Sequence, residues 1–225
     1  MPEKSRDTAP GGLRRRSCLR CRRPLTACYC SQLRPFSSDP RFVILIHPRE
    51  ARHAFGTGRM AHLCLTNSSL FEGFNFSEDA ELQAVLNCPE TFPVLLYPGP
   101  ASINLSRLSP AARISLVPAR KKLVVVVPDA TWRNSRKIVS RSRNLHGLPR
   151  ITFDAPAESM YRIRRQPRPG FYSTIEAIHR VIALFTFENS AGASEPHQNL
   201  LEVFKSAIDR QLQYTATAPK PDARD

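Results

Sequence analysis

The amino-acid sequence predicts an α/β fold, with a mostly parallel sheet that carries helices on both faces and a small cysteine-rich module at the N-terminus. Short apolar runs without polar alternation, of which 121–127 (KKLVVVV) is the clearest, are typical of strands buried on both faces. Segments with helical periodicity lie between these runs, which favours parallel strands joined by helices. Four of the six cysteines lie between residues 18 and 30, which sets this stretch apart from the rest of the chain.

The individual elements follow from local patterns along the chain. Apolar runs predict strands at 41–47, 92–97, 121–127 and 150–153. Helical patterns predict helices at 58–65, 77–87, 131–143, 173–185 and 197–214. We expect Ser77 to cap the second helix, because Glu78 and Asp79 then lie in its first turn, where the helix dipole favours acidic groups.

Length and composition are those of one main domain with short flanking segments. The chain has 225 residues, 41% of them hydrophobic, which is enough to bury a core without disulfide bonds. We divide it into a flexible basic N-terminus (1–16), the cysteine module (17–31), the main domain (32–215) and a flexible tail (216–225).

No apolar run approaches the roughly 20 residues of a membrane helix, and no secretory signal is visible, so we expect a cytoplasmic protein without a membrane partner. The sequence does not predict an oligomeric state.

The charge of the chain favours a polyanionic partner. Lysine and arginine number 33 against 19 acidic residues, which gives a formal net charge of +14. Arginine greatly outnumbers lysine, and its planar guanidinium suits phosphate and base recognition. We therefore expect nucleic acid as the partner, while solubility or compositional drift stays an alternative explanation of part of the excess.

The cysteine module has the pattern of a zinc site. Cys18 and Cys21 form a C-x2-C pair, and Cys28 and Cys30 form a second, tighter C-x-C pair. Two close cysteine pairs are typical of tetrahedral zinc–thiolate sites, and four protein ligands leave no position open for a reacting water. We expect a structural zinc. Disulfides or redox thiols are the alternatives, and the absence of an export signal disfavours disulfides.

Distinctive residues follow four of the predicted strands. In open α/β sheets, ligands bind beyond the carboxyl ends of the strands, so these segments are candidate site residues. The segments are 47–50 (HPRE) with 56–59 (GTGR), 97–100 (YPGP), 128–132 (PDATW), and 161–165 (YRIRR) with 173–177 (STIEA).

Each of these segments also has a purely structural explanation. His47 has the place of a hydrogen-bonded structural histidine, Asp129 can stabilise the following helix through its dipole, and Trp132 can belong to the core. Ser173 and Glu176 match the capping box S-x-x-E and can serve only to hold a helix end. No one segment therefore establishes a function by itself.

The ordered combination of these motifs resembles the DTW-domain family, the tRNA-uridine aminocarboxypropyltransferases. The cysteine cluster, H-P-x-E, T-G-R, Y-P-G, D-x-T-W and S-T-x-E-A occur here in the family's order, from Cys18 to about Phe185. Bacterial members often have asparagine at the position of Gly56, so any ligand contact of that asparagine is in doubt here.

The resemblance implies a fold and a reaction. It implies a SPOUT-like, S-adenosylmethionine-binding fold and leaves open whether the C-terminal segment is knotted. It also implies transfer of the 3-amino-3-carboxypropyl group of S-adenosylmethionine to N3 of a tRNA uridine, which forms acp3U and releases methylthioadenosine. A SPOUT-type RNA methyltransferase and a non-catalytic zinc and RNA-binding protein are the alternatives.

The resemblance and this chemistry suggest a role for each motif residue. We expect Asp129 to accept or orient the N3 proton, Thr131 and Trp132 to belong to the same catalytic turn, and Trp132 to stack on a base. Arg162, or alternatively Arg164, is expected to hold the donor carboxylate. The other expected donor-binding residues are Tyr97, Pro98, Gly99, Ser173 and Thr174, and the expected substrate-binding residues are His47, Glu50, Arg59, Arg133, Arg136 and Lys137.

The helix predicted from Thr131 has a basic face suited to tRNA phosphates. Helical geometry places Arg133, Arg136, Lys137, Ser140 and Arg141 on this face. The same geometry places Trp132, Ser135, Ile138 and Val139 on the opposite, buried face. The basic residues can also be no more than a solvated surface, but no acidic residues are interspersed among them.

Overall fold

A computed structural model describes residues 16–53, 55–155, 159–161, 172–186 and 195–217. The predicted N-terminal segment 1–16 and tail 216–225 lie almost wholly outside these residues, and Arg162 and Arg164 lie outside them altogether. No helix in the described ranges combines the length and the apolar character needed to cross a membrane.

The fold is built on a six-stranded, all-parallel sheet, as predicted. Its strands are β1 (Arg41–Ile46), β2 (Ser69–Glu72), β3 (Thr91–Leu96), β4 (Ile103–Asn104), β5 (Lys122–Asp129) and β6 (Arg150–Thr152). They lie in the order β2-β1-β5-β3-β6-β4, with the apolar β1 and β5 as neighbours near the middle. β2 and β4 were not predicted, because β2 has only two apolar residues, Leu70 and Phe71, and β4 has only two residues in all. The relation to SPOUT-type folds and a knotted C-terminal segment stay predictions.

The α-helices cover both faces of this sheet. They are α1 (Pro48–Ala51), α2 (Thr57–Cys64), α3 (Ala80–Leu86), α4 (Pro110–Ser115), α5 (Trp132–Arg141), α6 (Thr174–Phe185) and α7 (Gln198–Thr217). Alternate residues of β1 belong to two separate core clusters. Phe42 and Ile44 pack in the cluster of α2, α6 and α7, whereas Val43 and Leu45 pack in the cluster of α3 and α5.

Two local predictions are wrong in detail. Asp79, rather than Ser77, caps α3: its carboxylate accepts a hydrogen bond from Leu82 N at 2.9 Å, and the helix begins at Ala80. The central strand continues past Val127 to Asp129, although Pro128 has no N–H to donate. Pairing with β1 continues through this proline, with Ile46 opposite Asp129, because the neighbouring backbone groups keep the ladder in register.

The cysteine module packs against the main domain through α7. Arg210 Nη1 donates to the carbonyl of Cys28 at 2.8 Å, and Arg23 Nη2 donates to Gln211 Oε1 at 3.0 Å. Cys21 and Tyr29 are buried in the same core cluster as α2, α6 and α7. The module and the main domain therefore share one core.

In the loop after β2, two phenylalanines that lie two positions apart have different environments. Phe76 is 2% exposed and packs in the α3 and α5 cluster, whereas Phe74 is 52% exposed. A Cβ atom at Gly73 would lie 2.9 Å from the Phe76 ring, so glycine is needed there for the chain to pass over the ring.

We expect Phe76→Ala to lower the free energy of unfolding by about 3–5 kcal/mol, because it leaves a cavity in the core. Phe74→Ala should change it by less than about 0.5 kcal/mol, since that ring is largely in solvent. Urea unfolding followed by circular dichroism measures both. Equal losses in the two variants would contradict the packing described for this loop.

Candidate active site

A cavity of about 1090 Å³ lies beyond the carboxyl ends of β3, β5 and β6. Its walls are formed by these strand ends, by the first residues of α5 and α6, and by Tyr161, Tyr172 and Ser173. This is where an open parallel sheet binds its ligands, and the volume suits a large organic cofactor or substrate.

Asp129, the last residue of β5, lines the cavity and is 5% exposed. Thr174 Oγ1, in the first turn of α6, donates to Asp129 Oδ1 at 2.5 Å. Gly58, in the first turn of α2, lies so close that a Cβ atom there would overlap the Asp129 carboxylate. The carboxylate is therefore held between the N-termini of two helices, whose dipoles stabilise negative charge.

An aromatic stack forms one wall of the cavity. The rings of Tyr97 and Trp132 are 5.5 Å apart and nearly parallel, at 11°. The guanidinium carbon of Arg150 lies 5.8 Å from the centre of the Tyr97 ring. Gly99 permits this arrangement, because a Cβ atom there would lie 2.8 Å from Arg150 Nη1.

The predicted buried position of Trp132 is wrong. The indole is 38% exposed, and Asn134 is buried beside Ser135, Ile138 and Val139 instead. The reason is the helix cap: α5 begins at Trp132, directly after its cap Thr131, so the indole projects from the first turn over Tyr97.

Glu176 organises the opposite wall. Its carboxylate accepts hydrogen bonds from Ser173 N at 2.9 Å and Ser173 Oγ at 2.6 Å, which joins it to the start of α6 as predicted. It also accepts from Ser159 Oγ and Met160 N, both at 2.7 Å. The segment 159–161 is thereby attached to α6, and this places Tyr161 in the wall of the cavity.

Sequence reasoning missed an aromatic cluster that joins the cavity to the cysteine module. Phe55 and Tyr161 stack at 5.7 Å, and both lie against Phe204 of α7. The buried guanidinium of Arg23, from the cysteine module, lies 5.0 Å from the centre of the Phe55 ring. Burial lowers the pKa of Arg23. Phe55 and Tyr161 are 106 residues apart in the chain, and Phe204 lies still further along it, so no local pattern could have found the cluster.

Sequence reasoning also missed a carboxylate at the sheet edge. Asp154, after β6, accepts from Asn104 Nδ2 at 2.7 Å and from Arg107 Nε at 3.4 Å. The hydrogen bond from Asn104, together with nearby Arg107, lowers the pKa of Asp154. An ionised carboxylate therefore lines the cavity beside Phe153. No pattern in the sequence indicated this contact, because Asn104 belongs to β4, a strand of only two residues.

The structure brings most of the predicted site residues to this cavity, but not all of them. The predicted residues that line it are Glu50, Tyr97, Pro98, Gly99, Asp129, Thr131, Trp132, Arg133, Ser173 and Thr174. His47, Arg59, Arg136 and Lys137 are not among its described lining residues. His47 instead caps α1, where its Nδ1 accepts from Arg49 N at 3.2 Å, and burial with nearby Arg49 lowers its pKa.

The four cysteines of the N-terminal module form a candidate metal site. Their sulfur atoms all lie within 4.8 Å of one another, and the Cys18–Cys30 and Cys21–Cys28 distances are both 3.7 Å. A disulfide bond would require about 2.05 Å. By contrast, a regular tetrahedron with metal–sulfur bonds of about 2.3 Å has edges of about 3.8 Å. Backbone hydrogen bonds from Cys21 and Arg20 lower the pKa of Cys18 to about 6, which favours the thiolate at this one cysteine, whereas burial raises the pKa of Cys21 and of Cys30.

Gly58→Ala tests the close packing around Asp129. We expect the variant to lose about 1–3 kcal/mol of unfolding free energy, because the added methyl group displaces the carboxylate from its place between α2 and α6. Gly147→Ala is the matched control, since a Cβ atom there meets nothing within 4 Å. Thermal unfolding measures both, and a Gly58→Ala variant as stable as the control would contradict this packing.

The chain is similar to known proteins over most of its length. The family model described as "DTW domain" matches residues 15–212. The chain is 32% identical to tRNA-uridine aminocarboxypropyltransferase 2 of Drosophila melanogaster over 178 residues, which are 76% of this chain and 67% of that protein. It is 28% identical to tRNA-uridine aminocarboxypropyltransferase 2 of Mus musculus over 208 residues, which are 90% of this chain and 66% of that protein. The chain thus spans about two thirds of the length of these relatives, and no solved structure matches it. Since the family model matches residues 15–212, which is most of the chain, this chain belongs to the DTW-domain family.

Proposed function

We propose that this chain is a tRNA-uridine aminocarboxypropyltransferase, which transfers the 3-amino-3-carboxypropyl group of S-adenosylmethionine to N3 of a uridine in tRNA. The products are acp3U and methylthioadenosine. Family membership and the names of both relatives support the proposal. The observation that carries it is the buried Asp129 carboxylate, which lines a large cavity beside the Tyr97–Trp132 stack.

The cavity suits the charge and shape of the donor. Aromatic rings and apolar strand ends can enclose an adenine ring, and Tyr97 and Trp132 offer the nearest stacking surface. The donor carries a sulfonium and an ammonium group, and Glu50 and Asp154 supply negative charge within the lining. The carboxylate of the donor requires a cation, and Arg133 lines the cavity and can supply it. The binding of this carboxylate by Arg162 stays a prediction, since Arg162 lies outside the described residues.

In the proposed reaction, Asp129 accepts the proton of uridine N3. N3–H is a weak nucleophile until the proton leaves, and a fixed carboxylate next to it serves as general base. The new bond joins N3 to the carbon that the donor sulfur releases. The electron pair of the broken carbon–sulfur bond stays on sulfur, and the proton passes to Asp129. Thr174 and the close approach at Gly58 hold the carboxylate in one orientation for this step.

The other residues of the catalytic turn act by positioning. The hydroxyl of Thr131 accepts from Asn134 N at 3.4 Å, caps α5 and so fixes the direction of Trp132. Trp132 then stacks on the uracil or the adenine. Pro98, Gly99 and Ser173 shape the backbone wall around the donor, while His47 and Arg59 lie outside the described lining and act on the tRNA around the cavity.

The basic face of α5 is the proposed contact for the tRNA backbone. Arg133, Arg136, Lys137 and Arg141 are exposed along this helix, and Ile138 and Val139 anchor its other side in the core. Exposed arginine and lysine side chains on a rigid helix bind phosphates without reading the sequence.

The proposed metal of the cysteine site is zinc in a structural role. The sulfur geometry fits a tetrahedral ion, and four protein ligands leave no coordination position for a reacting group. The ion would hold the module against α7, and through Arg23 it would hold Phe55 at the cavity wall.

Asp129→Asn tests the reaction. We expect it to slow acp3U formation by about 10²- to 10⁴-fold while tRNA affinity stays unchanged, because the amide keeps the shape but cannot take the proton. Asp79→Asn is the matched control, since asparagine caps α3 as well as aspartate does. Rates come from nucleoside mass spectrometry of tRNA incubated with S-adenosylmethionine. An Asp129→Asn variant as fast as the control would contradict the general-base role.

The identity of the product separates this proposal from its alternatives. Incubation of the wild-type chain with S-adenosylmethionine and unmodified bulk tRNA should yield acp3U and methylthioadenosine. A methylated nucleoside with S-adenosylhomocysteine would overturn the proposed reaction in favour of methyl transfer. Neither product, with the cysteine site loaded, would overturn it in favour of a binding protein.

Metal analysis tests the zinc site. We expect about one zinc per chain, lost in the Cys18→Ser/Cys21→Ser double variant together with thermal stability, because Cys21 belongs to the core. Cys88→Ser, outside the cluster, should keep the metal. Wild-type protein purified without chelator and found free of zinc would contradict this assignment.

A further inference from the structure

We infer that Phe74 and Arg141 form a stacking platform for an RNA base that flanks the target uridine, at the far end of the basic face of α5. The inference rests on the proposed function, in that it takes tRNA as the substrate. It adds an interaction site remote from the cavity and formed by residues outside every family motif noted in the sequence. We call the pair the Phe74–Arg141 platform.

The platform is an exposed aromatic ring beside a cation. Phe74 is 52% exposed, and the guanidinium carbon of Arg141 lies 5.6 Å from the centre of its ring. Of the ten phenylalanines in the described residues, Phe74 alone is exposed, and Phe76, two positions further on, is fully inside the core. A half-exposed ring with a guanidinium over it suits a nucleobase, which can stack against the exposed aromatic surface while its phosphate meets the cation.

The loop that carries Phe74 is fixed rather than free to fold inward. Ser142 Oγ accepts from Phe76 N at 3.0 Å, and Asn144 Nδ2 donates to the carbonyl of Phe76 at 2.9 Å. Ser77 Oγ donates to the carbonyl of Arg141 at 3.1 Å and accepts from Arg143 N at 3.0 Å. These bonds attach the loop to the end of α5, so the Phe74 ring is preorganised outside the core and stacking costs little ordering of the loop.

The basic face of α5 joins the platform to the cavity. Arg133 lines the cavity, and Arg136, Lys137 and Arg141 follow on the exposed side of the same helix. From Arg133 to Arg141 the helix rises by about 12 Å, which is the length of about three to four nucleotides at the 3.4 Å axial rise of a duplex strand. Within the part of the chain that the structure describes, none of these four cations forms an ion pair. Their charge is therefore available to phosphates.

Charge decides between RNA and a protein as the occupant. An exposed phenylalanine alone would suit an apolar protein partner equally well. Here it ends a row of cations, in a chain of net charge +14, and the row begins at the cavity that takes the uridine. A continuous polyanion with stacking bases matches this whole surface.

The test measures binding of bulk tRNA at several salt concentrations, without turnover. Phe74→Ala should raise the dissociation constant at least about fivefold, as expected for loss of one stacked base. Phe74→Tyr should bind like wild type, because it keeps an aromatic face, whereas Phe74→Leu should bind as weakly as Phe74→Ala. All three should keep the wild-type slope of log Kd against log salt, since no charge is removed.

Arg136→Ala provides the contrasting electrostatic result. It should lower that slope by about one, the effect of losing one phosphate contact. Ile114→Ala and Lys121→Ala are the matched controls: both side chains are exposed, Ile114 on α4 and Lys121 at the amino end of β5, opposite the cavity. Both should bind tRNA like wild type. Thermal unfolding of each variant shows that the fold is kept.

The outcomes separate the platform from the proposed reaction. Unchanged affinity in Phe74→Ala and Phe74→Leu would overturn the platform and leave the reaction untouched. If Phe74→Tyr bound tRNA as weakly as Phe74→Leu, the proposed stacking of an RNA base on this ring would be overturned. No measurable tRNA binding by wild type would overturn the inference as well. Weak binding by Phe74→Ala and Phe74→Leu but not by Phe74→Tyr supports the platform even if the wild type forms no acp3U.

Discussion

The position of Asp129 is the constraint on which the rest of the site depends. A carboxylate at 5% exposure at the end of the central strand would be unfavourable without compensating dipoles and hydrogen bonds. Thr174 and the first turns of α2 and α6 supply them, and this arrangement requires glycine at position 58. Any change that moves one of the two helices relative to β5 therefore changes the orientation of the proposed base.

The two walls of the cavity are held in different ways. The Tyr97–Trp132 wall follows directly from strand ends and a helix cap, and its parts are close to Asp129 in the sheet. The Tyr161 wall depends on Glu176, whose carboxylate joins the segment 159–161 to α6. Glu176 thus combines a helix-capping role with a role in shaping the site, because a buried carboxylate needs several donors at once.

The cysteine module also contributes to the cavity. Arg23 connects it to α7 and to Phe55, so the proposed zinc would stabilise part of the cavity wall from a distance. On the other side of the sheet, α5 combines three tasks. Its first turn carries Trp132, its apolar side fills the core, and its exposed side carries the cations that lead to Phe74.

Local patterns were enough to predict the parallel α/β sheet, the helices on both faces, the four-cysteine cluster and ten of the residues that line the cavity, because these depend on apolar runs, close cysteine spacing and strand-end motifs. Asp129 could be predicted as a candidate site residue because open parallel sheets bind ligands beyond the carboxyl ends of their strands. The short strand β4, the Phe55–Tyr161–Phe204 cluster and the outward position of Trp132 became visible only in the folded chain. These depend on contacts between segments far apart in the chain, or on the exact residue at which a helix begins, and neither leaves a local pattern.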